Sequence, residues 1–139
     1  ASTRLIIALR DVAALDAMQP QLAQLAAMSA PLGAHGYFLF ARTGAPEGCL
    51  TESRMFCPAL GIDEDPVSGN AHAMLAVLLH ERGLLPPAAG RAQFAGAQGR
   101  HVGRPGRVQV SVEYDAAGKP RAVTIAGQAV VVLAGSATF

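Results

Sequence analysis

The residue types best suited to chemistry lie in the segment Asp65–Asn70, at the start of the most apolar stretch of the chain. The residues that follow, Ala71 to Leu79, are apolar except for His72, so we predict a helix that is buried on all sides. The first turn of a helix leaves up to four backbone N–H groups without intrahelical partners, and the helix dipole is positive there. Because Gly69 keeps side-chain atoms away from these groups, we predict that a carboxylate or phosphate binds at this point.

Ser68 and Asn70 add a hydroxyl and an amide to the same turn. A purely structural interpretation is also open, in which Asp65 or Ser68 caps the helix and Pro66 takes its favoured first-turn position. The three consecutive acids at 63–65 favour a function, because carboxylates beside an apolar helix are costly unless they are paired or used. We therefore expect at least one of them to meet a ligand or a partner.

Two further residues are candidates for contact with a bound carboxylate. Arg54 is suited either to pairing with the acidic loop or to binding a substrate carboxylate. His72 is close to the same turn, although a lone histidine on a buried helix is more often a hydrogen-bonded core residue than a catalyst. The remaining histidines have no metal-ligand spacing, so we predict no metal site.

The run from Arg54 to Ala71, RMFCPALGIDEDPVSGNA, resembles the signature of the PhzF family of phenazine-biosynthesis-like isomerases, which have the diaminopimelate-epimerase fold. Gln98-Gly99 and Gly103–Gly106, followed by a valine-rich stretch, resemble the same family in the same order. The resemblance covers nearly the whole chain but only the carboxy-terminal half of a family member. We therefore expect residues 1–139 to form a PhzF-like carboxy-terminal domain, with the amino-terminal, glutamate-bearing domain absent from this chain.

The resemblance implies a cofactor-independent enzyme whose two similar domains, each a β-barrel around a central helix, close on a small carboxylated substrate. In the family, a glutamate of the amino-terminal domain is the main acid/base, and an Asp of the EDPxTGS motif faces it. Asp65 matches that Asp, while Gly69 and Asn70 match the Gly-Ser whose backbone amides help to hold the substrate. Ser68 stands where Thr is commoner and Asn70 where Ser is commoner, so the substrate stays open.

The rest of the chain predicts strands and two short helices. One helix starts at an Asp11 cap and the other ends at Pro31 and Gly33, and we expect both to lie outside the core. The predicted strands are Leu5–Leu9, Tyr37–Phe40, a two-faced Cys49–Phe56, Val108–Val112, Val123–Ala126 and a closing Ala129–Leu133. With the resemblance, these elements predict an α+β fold: a single diaminopimelate-epimerase-like domain whose curved, barrel-like, mixed or antiparallel sheet wraps around one buried central helix.

Composition excludes several classes of protein. A chain of 139 residues with 51% hydrophobic and 15% charged residues has one domain's worth of core, and disorder is not expected. A formal net charge of +1 gives no field that would gather nucleic acid or acidic lipid. No apolar run reaches membrane-spanning length, and two cysteines are too few for a disulfide scaffold, so we expect a cytoplasmic protein.

These observations predict the carboxy-terminal half of a PhzF-like isomerase or epimerase that moves a proton on a carbon of a small carboxylate. Ser68, Gly69 and Asn70 would bind the substrate with help from Arg54 and His72, and Asp65 would assist proton transfer without any cofactor. The alternative is a non-catalytic carboxylate-binding or assembly domain. Because the low charge content predicts an exposed apolar face, we expect the partner to be an amino-terminal half or a second copy of the chain.

Overall fold

Seven strands and three helices make up the computed structural model, which describes residues 3–131 and 133–136 of the chain. In chain order they are β1 (Leu5–Ala8), α1 (Val12–Ala17), α2 (Leu22–Leu32), β2 (Tyr37–Ala41), β3 (Thr51–Cys57), β4 (Ile62–Asp65), α3 (Gly69–Glu81), β5 (Arg91–Gln98), β6 (Gly106–Tyr114) and β7 (Pro120–Gly127). Short 3₁₀ turns at Pro58–Leu60 and Arg100–Val102 follow β3 and β5. The fold is thus of the α+β class, as predicted.

The strands form one mixed sheet in the order β1-β2-β3-β5-β6-β7, and β4 also pairs with β3. The β1–β2 and β3–β5 ladders are parallel, whereas the others are antiparallel. Among the described residues no ladder joins β1 to β7, so the sheet is open and does not show the expected barrel-like closure.

Helix α3 packs on one face of this sheet through a single buried stripe. Ala71, Leu75, Ala76 and Leu79 join the main core, against aromatic and aliphatic side chains from β2, β3, β5 and β6. The opposite side of the helix, including Met74 and Leu78, is half-buried. The expectation of burial on all sides is therefore wrong, because the open sheet covers the helix from one direction only.

Helices α1 and α2 build a second core on the other face of the sheet. Leu15 of α1 is fully buried and contributes to a cluster with Tyr37, Leu39 and Phe56. The expectation that these two helices lie outside the core is therefore wrong. Their sequence predictions are otherwise good, since Asp11 accepts a hydrogen bond from Ala14 N at 2.8 Å and Gly33 ends α2 in the left-handed region.

Strand β3 is buried along its whole length because both faces of the sheet are covered there. Met55 and Cys57 point into the α3 core, whereas Arg54 and Phe56 point towards α1 and α2. The alternation seen in the sequence is real. It separates two interiors rather than an interior from solvent.

Two strands were not predicted, and one predicted strand is not found. Strands β4 and β5 lie in segments without a run of β-branched residues. The expected strand Ala129–Leu133 does not form in residues 129–131 and 133, while residue 132 lies outside the described residues. None of the described helices is long and apolar enough to cross a membrane.

Candidate functional site

The start of α3 is held in place by a buried glutamine from β5. Gln98 is 1% exposed; its Oε1 accepts from Ser68 N at 3.1 Å, and its Nε2 donates to the Asp65 carbonyl at 2.6 Å. Ser68 is the N-cap, with an extended backbone, and its Oγ accepts from Ala71 N at 3.3 Å. The segment between β4 and α3 therefore has a fixed conformation.

The two hydrogen bonds of Gln98 form what we call the glutamine clamp. The next residue, Gly99, lets the backbone at Pro66 and Arg104 approach it closely. Its φ is +90°, and a Cβ at this position would lie 2.5 Å from the Pro66 carbonyl oxygen and also collide with the Arg104 carbonyl oxygen. Only glycine meets both conditions without strain. The Gln98-Gly99 pair thus acts as a template for residues 65–68.

Two backbone donors at this helix start are left open. The amides of Val67, Ser68 and Ala71 are taken by Asp65 Oδ1, Gln98 and the Ser68 hydroxyl. Within the described residues, the amides of Gly69 and Asn70 donate to no group of the chain. Such donors at the positive end of a helix dipole suit a carboxylate or phosphate.

Gly69 lines a cavity of about 1040 Å³. Its wall also includes Gln98, Glu52, Arg100 and Arg107, together with residues of β6 and β7. A Cβ at position 69 would lie 3.2 Å from Ile125 Cγ2, so glycine there lets β7 come close to the helix start. The site thus combines two open backbone donors with space for a small molecule.

Asp65 and Asn70, two of the predicted site residues, lie near this turn but outside the cavity wall. The half-buried Asp65 side chain accepts from Val67 N at 3.3 Å through Oδ1. The Asn70 side chain is exposed, so its backbone amide is the group that belongs to the site. The structural alternative for this segment is seen in Ser68, which does cap the helix, although the open amides of Gly69 and Asn70 remain.

His72 supports the same turn from within the core. It is fully buried, and its Nδ1 lies 2.8 Å from the Ser68 carbonyl, while its ring meets the edge of Phe38. Burial lowers the pKa of His72, and the hydrogen bond to Ser68 opposes that shift only in part. A neutral ring donates from Nδ1, so His72 helps to hold Ser68 and does not line the cavity.

Arg54 lies on the opposite face of the sheet and is engaged by the chain itself. Its Nε and Nη2 donate to the two carboxylate oxygens of Glu64 at 3.0 and 2.8 Å, and its Nη1 donates to the carbonyls of Leu15 and Met18. Of the two roles considered for Arg54, the structure supplies the pairing with the acidic loop. It does not bring Arg54 to the cavity wall.

Sequence reasoning missed Glu52 and the role of Gln98. Glu52 is 1% exposed, and its Oε1 has no hydrogen-bond partner in the described part of the chain. Burial raises the pKa of Glu52, while the positive charges of Arg100 and His101 oppose the shift and Asp16 adds to it. Glu52 could have been singled out as a charged residue in a strand whose other side chains are buried.

In residues 3–131 and 133–136, no three His, Cys, Asp or Glu side chains come together in a group that could hold an ion.

Comparison with known proteins identifies the family. The family model of phenazine biosynthesis-like proteins, PhzC-PhzF, matches residues 1–135, so the chain belongs to the PhzF family. A Salmonella typhimurium protein named as the uncharacterised isomerase YddE is 41% identical over 129 residues, and an uncharacterised isomerase of Clostridium acetobutylicum is 35% identical over 130 residues. These alignments cover 92% and 94% of this chain but only 42% and 43% of the relatives.

Solved structures agree with this assignment. A Clostridium difficile structure named for the phenazine biosynthesis PhzC/PhzF proteins superposes with a TM-score of 0.69 at 26% identity, covering 100% of this chain and 46% of that one. A Bacillus anthracis PhzF-family structure, at 19% identity, shares the fold with a TM-score of 0.67 over 90% of this chain and 45% of its own. The chain therefore spans less than half the length of the relatives that it matches.

Proposed function

We propose that this chain is the carboxy-terminal half of a cofactor-independent PhzF-like isomerase or epimerase that moves a proton on a carbon of a small carboxylate. One observation carries the proposal: the amides of Gly69 and Asn70 are open at a clamped helix start, and Gly69 faces a cavity. The isomerase names of the relatives support the reaction class. The full family architecture, with a diaminopimelate-epimerase-like barrel, is part of the same proposal.

In this proposal the helix start anchors the substrate. The two open amides hold its carboxylate, and the helix dipole stabilises negative charge that develops on the adjacent carbon when a proton leaves. Ser68 shapes the turn through its cap, and His72 and Gln98 keep it rigid. Asp65 stands at the end of β4, beside this turn, and its carboxylate would assist the proton transfer.

The principal acid/base would come from an amino-terminal half, which residues 1–139 do not include. That half, or a second copy of the chain, is the partner we propose. The support is the partial coverage of the relatives and the exposure of Val130, Val131 and Leu133 at the end of the described chain. Free thiols at Cys49 and Cys57 are consistent with a cytoplasmic location, which belongs to the same proposal.

Anion binding is tested by a matched pair of substitutions at position 69. Gly69→Pro removes the amide hydrogen at the first helical position, where proline is well tolerated, and Gly69→Ala adds a Cβ but keeps the donor. We expect titration with butyrate to shift the Gly69 and Asn70 amide resonances in the unsubstituted chain. Gly69→Ala should retain binding and Gly69→Pro should lose most of it. Equal binding by the two variants would contradict the role of the amide at position 69 in holding the carboxylate.

Proton transfer is tested by exchange in D₂O. We expect small carboxylates with an acidic C–H bond to incorporate deuterium when this chain is mixed with the amino-terminal half of the Salmonella relative. Asp65→Asn should slow the incorporation, whereas Asp63→Asn, an exposed acid of the same loop, should not. If carboxylates bind but no exchange occurs in the mixture, the alternative is favoured: a non-catalytic carboxylate-binding or assembly domain.

A further inference from the structure

Val67 and Ile125 are exposed apolar side chains beside the start of α3, and the proposed function leaves them without a role. They are 40% and 36% exposed, and both line the cavity that contains Gly69. Val67 directly precedes the Ser68 cap, whereas Ile125 belongs to β7. Sites for small molecules are lined mainly by apolar side chains, with a few polar groups that fix the orientation of the ligand.

Both side chains lie close to the backbone that would hold a ligand. A Cβ at Gly69 would lie 3.2 Å from Ile125 Cγ2, so this isoleucine is in contact with the first residue of the helix. A Cβ at Gly106 would lie 2.6 Å from Val67 Cγ2, so Val67 covers that glycine of β6. An acid held by the Gly69 amide would therefore have apolar side chains next to it.

The strand register places this apolar wall on the face of the sheet that carries α3. Ile125 pairs with Val110, which belongs to the core beneath α3. Gly106 faces the same way, because its register partner Gln98 clamps the start of the helix. Arg107 follows Gly106 along β6 and therefore points to the opposite face, since successive side chains of a strand alternate.

The other two charged residues of the cavity wall are also held on that opposite face. Glu52 lies two residues before Arg54, whose guanidinium reaches α1, so both point to the α1 side. Arg100 donates through Nη2 to Asp16 of α1 at 2.7 Å, and its Nε lies 3.8 Å from Glu52 Oε1. Among the described wall residues, the part of the cavity beside the helix start thus carries no charged side chain.

From this arrangement we infer that Val67 and Ile125 form an apolar subsite that binds the hydrocarbon body of the carboxylate held by Gly69 and Asn70. The inference rests on the proposed function, because it takes the helix start as the carboxylate anchor. A charged substituent on the carbons that meet this wall would lose its water without gaining a partner. The subsite therefore selects acids with a hydrocarbon chain over shorter acids and over acids with a second charge.

A series of unbranched acids tests this selection. Acetate, butyrate, hexanoate and adipate are titrated into the chain, with the Gly69 and Asn70 amide resonances as the readout. We expect the affinity to rise about threefold for each methylene group that the subsite covers. Adipate has the length of hexanoate but a second carboxylate, so it should bind about tenfold more weakly than hexanoate.

Substitutions in the wall separate the subsite from a general affinity for apolar compounds. Ile125→Thr and Val67→Thr keep a β-branched side chain but place a hydroxyl group in the wall. Each should lower the affinity for hexanoate about threefold to tenfold and so flatten the series. Ile62→Thr is the matched control, because Ile62 is 45% exposed on β4 and lies outside the cavity wall. It should give the same series as the unsubstituted chain.

The outcomes distinguish the subsite from the anchor. If hexanoate shifts the two amide resonances but binds no better than acetate, or adipate binds as well as hexanoate, the subsite inference is overturned and the anchor stands. The same holds if both threonine variants keep the full series. If no acid shifts the Gly69 and Asn70 resonances, the anchor fails and the inference fails with it.

A protein partner is the other possible occupant of this wall. If Ile125→Thr weakens association with the amino-terminal half of the Salmonella relative but leaves the acid series unchanged, the wall belongs to that interface and the inference is overturned. Far-ultraviolet circular dichroism establishes that the variants are folded. If Ile125→Thr does not fold, Val67→Thr decides the question alone, because Val67 lies outside the helices and strands.

Discussion

Arg54 and Glu52 are two charged residues on the same strand and the same face of the sheet, yet the chain treats them differently. Arg54, 7% exposed, forms four hydrogen bonds, two to Glu64 and two to backbone carbonyls of α1 and the residue after it. Glu52, 1% exposed, makes no hydrogen bond that the described residues supply, and its Oε1 forms only a long ion pair, 3.8 Å from Arg100 Nε. Similar burial thus accompanies four hydrogen bonds at one position and a single long ion pair at the other.

This difference separates a residue that stabilises the fold from one that costs it stability. A buried charge with every partner in place holds the fold together, and adding a ligand would only disturb it. A buried carboxyl that lacks a hydrogen bond costs stability instead. The local sequence, with both residues in one short strand, does not distinguish these cases. The two cases are distinguished by the partners that α1 and β4 supply to Arg54.

Removing the guanidinium of Arg54 should have the largest effect on the free energy of unfolding. Arg54→Met leaves Glu64 half-buried without its cation, so we expect a loss of about 3–5 kcal/mol in the free energy of unfolding. Urea denaturation followed by circular dichroism measures this, since the chain contains no Trp. The double variant Arg54→Met/Glu64→Met should recover much of the loss. A single-variant loss below about 1 kcal/mol, the range of an exposed ion pair, would contradict the structural role.

Removing the glutamine clamp should have an intermediate effect. Gln98→Leu orphans the Ser68 amide and the Asp65 carbonyl, so we expect a loss of about 1–3 kcal/mol, with the Gly69 and Asn70 amide resonances displaced. Gln93→Leu provides the control on the same strand, because Gln93 is exposed and its contact to Ser111 is a surface one. Its effect should stay within about 0.5 kcal/mol. Equal losses in both variants would show that the hydrogen bonds of Gln98 contribute no more to stability than the surface contact of Gln93.

Glu52, which makes no hydrogen bond, should have the smallest effect on the free energy of unfolding, and this effect should depend on pH. Burial raises the pKa of Glu52 in the fold, so the native state holds this proton at pH values where the unfolded chain has released it. Stability should therefore fall as pH rises from the ordinary glutamate value through the raised pKa, by at most about 1.4 kcal/mol per pH unit. Glu52→Gln should remove this slope. Parallel stability curves for the variant and the parent from pH 4 to 7 would contradict it.

Much of the fold was accessible from the sequence because the signals were local. The apolar run of α3, the alternating valines of β6 and the Asp11 cap each specify their own element. Strand β5 was missed because its sequence, RAQFAGAQ, has little intrinsic β preference. It is extended because β3 and β6 pair with it on either side, which is information that the segment itself does not contain.

The candidate site divides in the same way. Ser68 and Gly69 were found because a helix start has a local chemical signature. The roles of Gln98 and Glu52 depend on the register of β3 against β5, where Ser53 lies opposite Gln98 and Glu52 opposite Ala97. Arg54 had two plausible roles until the carbonyls of Leu15 and Met18 were seen beside it.

The glutamine clamp also bears on when the binding turn comes into being. Its two hydrogen bonds join residues that are 30 and 33 positions apart in the sequence. Both depend on the parallel pairing of β3 with β5, and α3 lies between these two strands in the chain. Contacts of this kind are slow to form, because loop-closure entropy is lost before they can contribute. We therefore expect a nascent chain to form α3 before the start of that helix has its final geometry, so the proposed site is a property of the finished domain rather than of the motif.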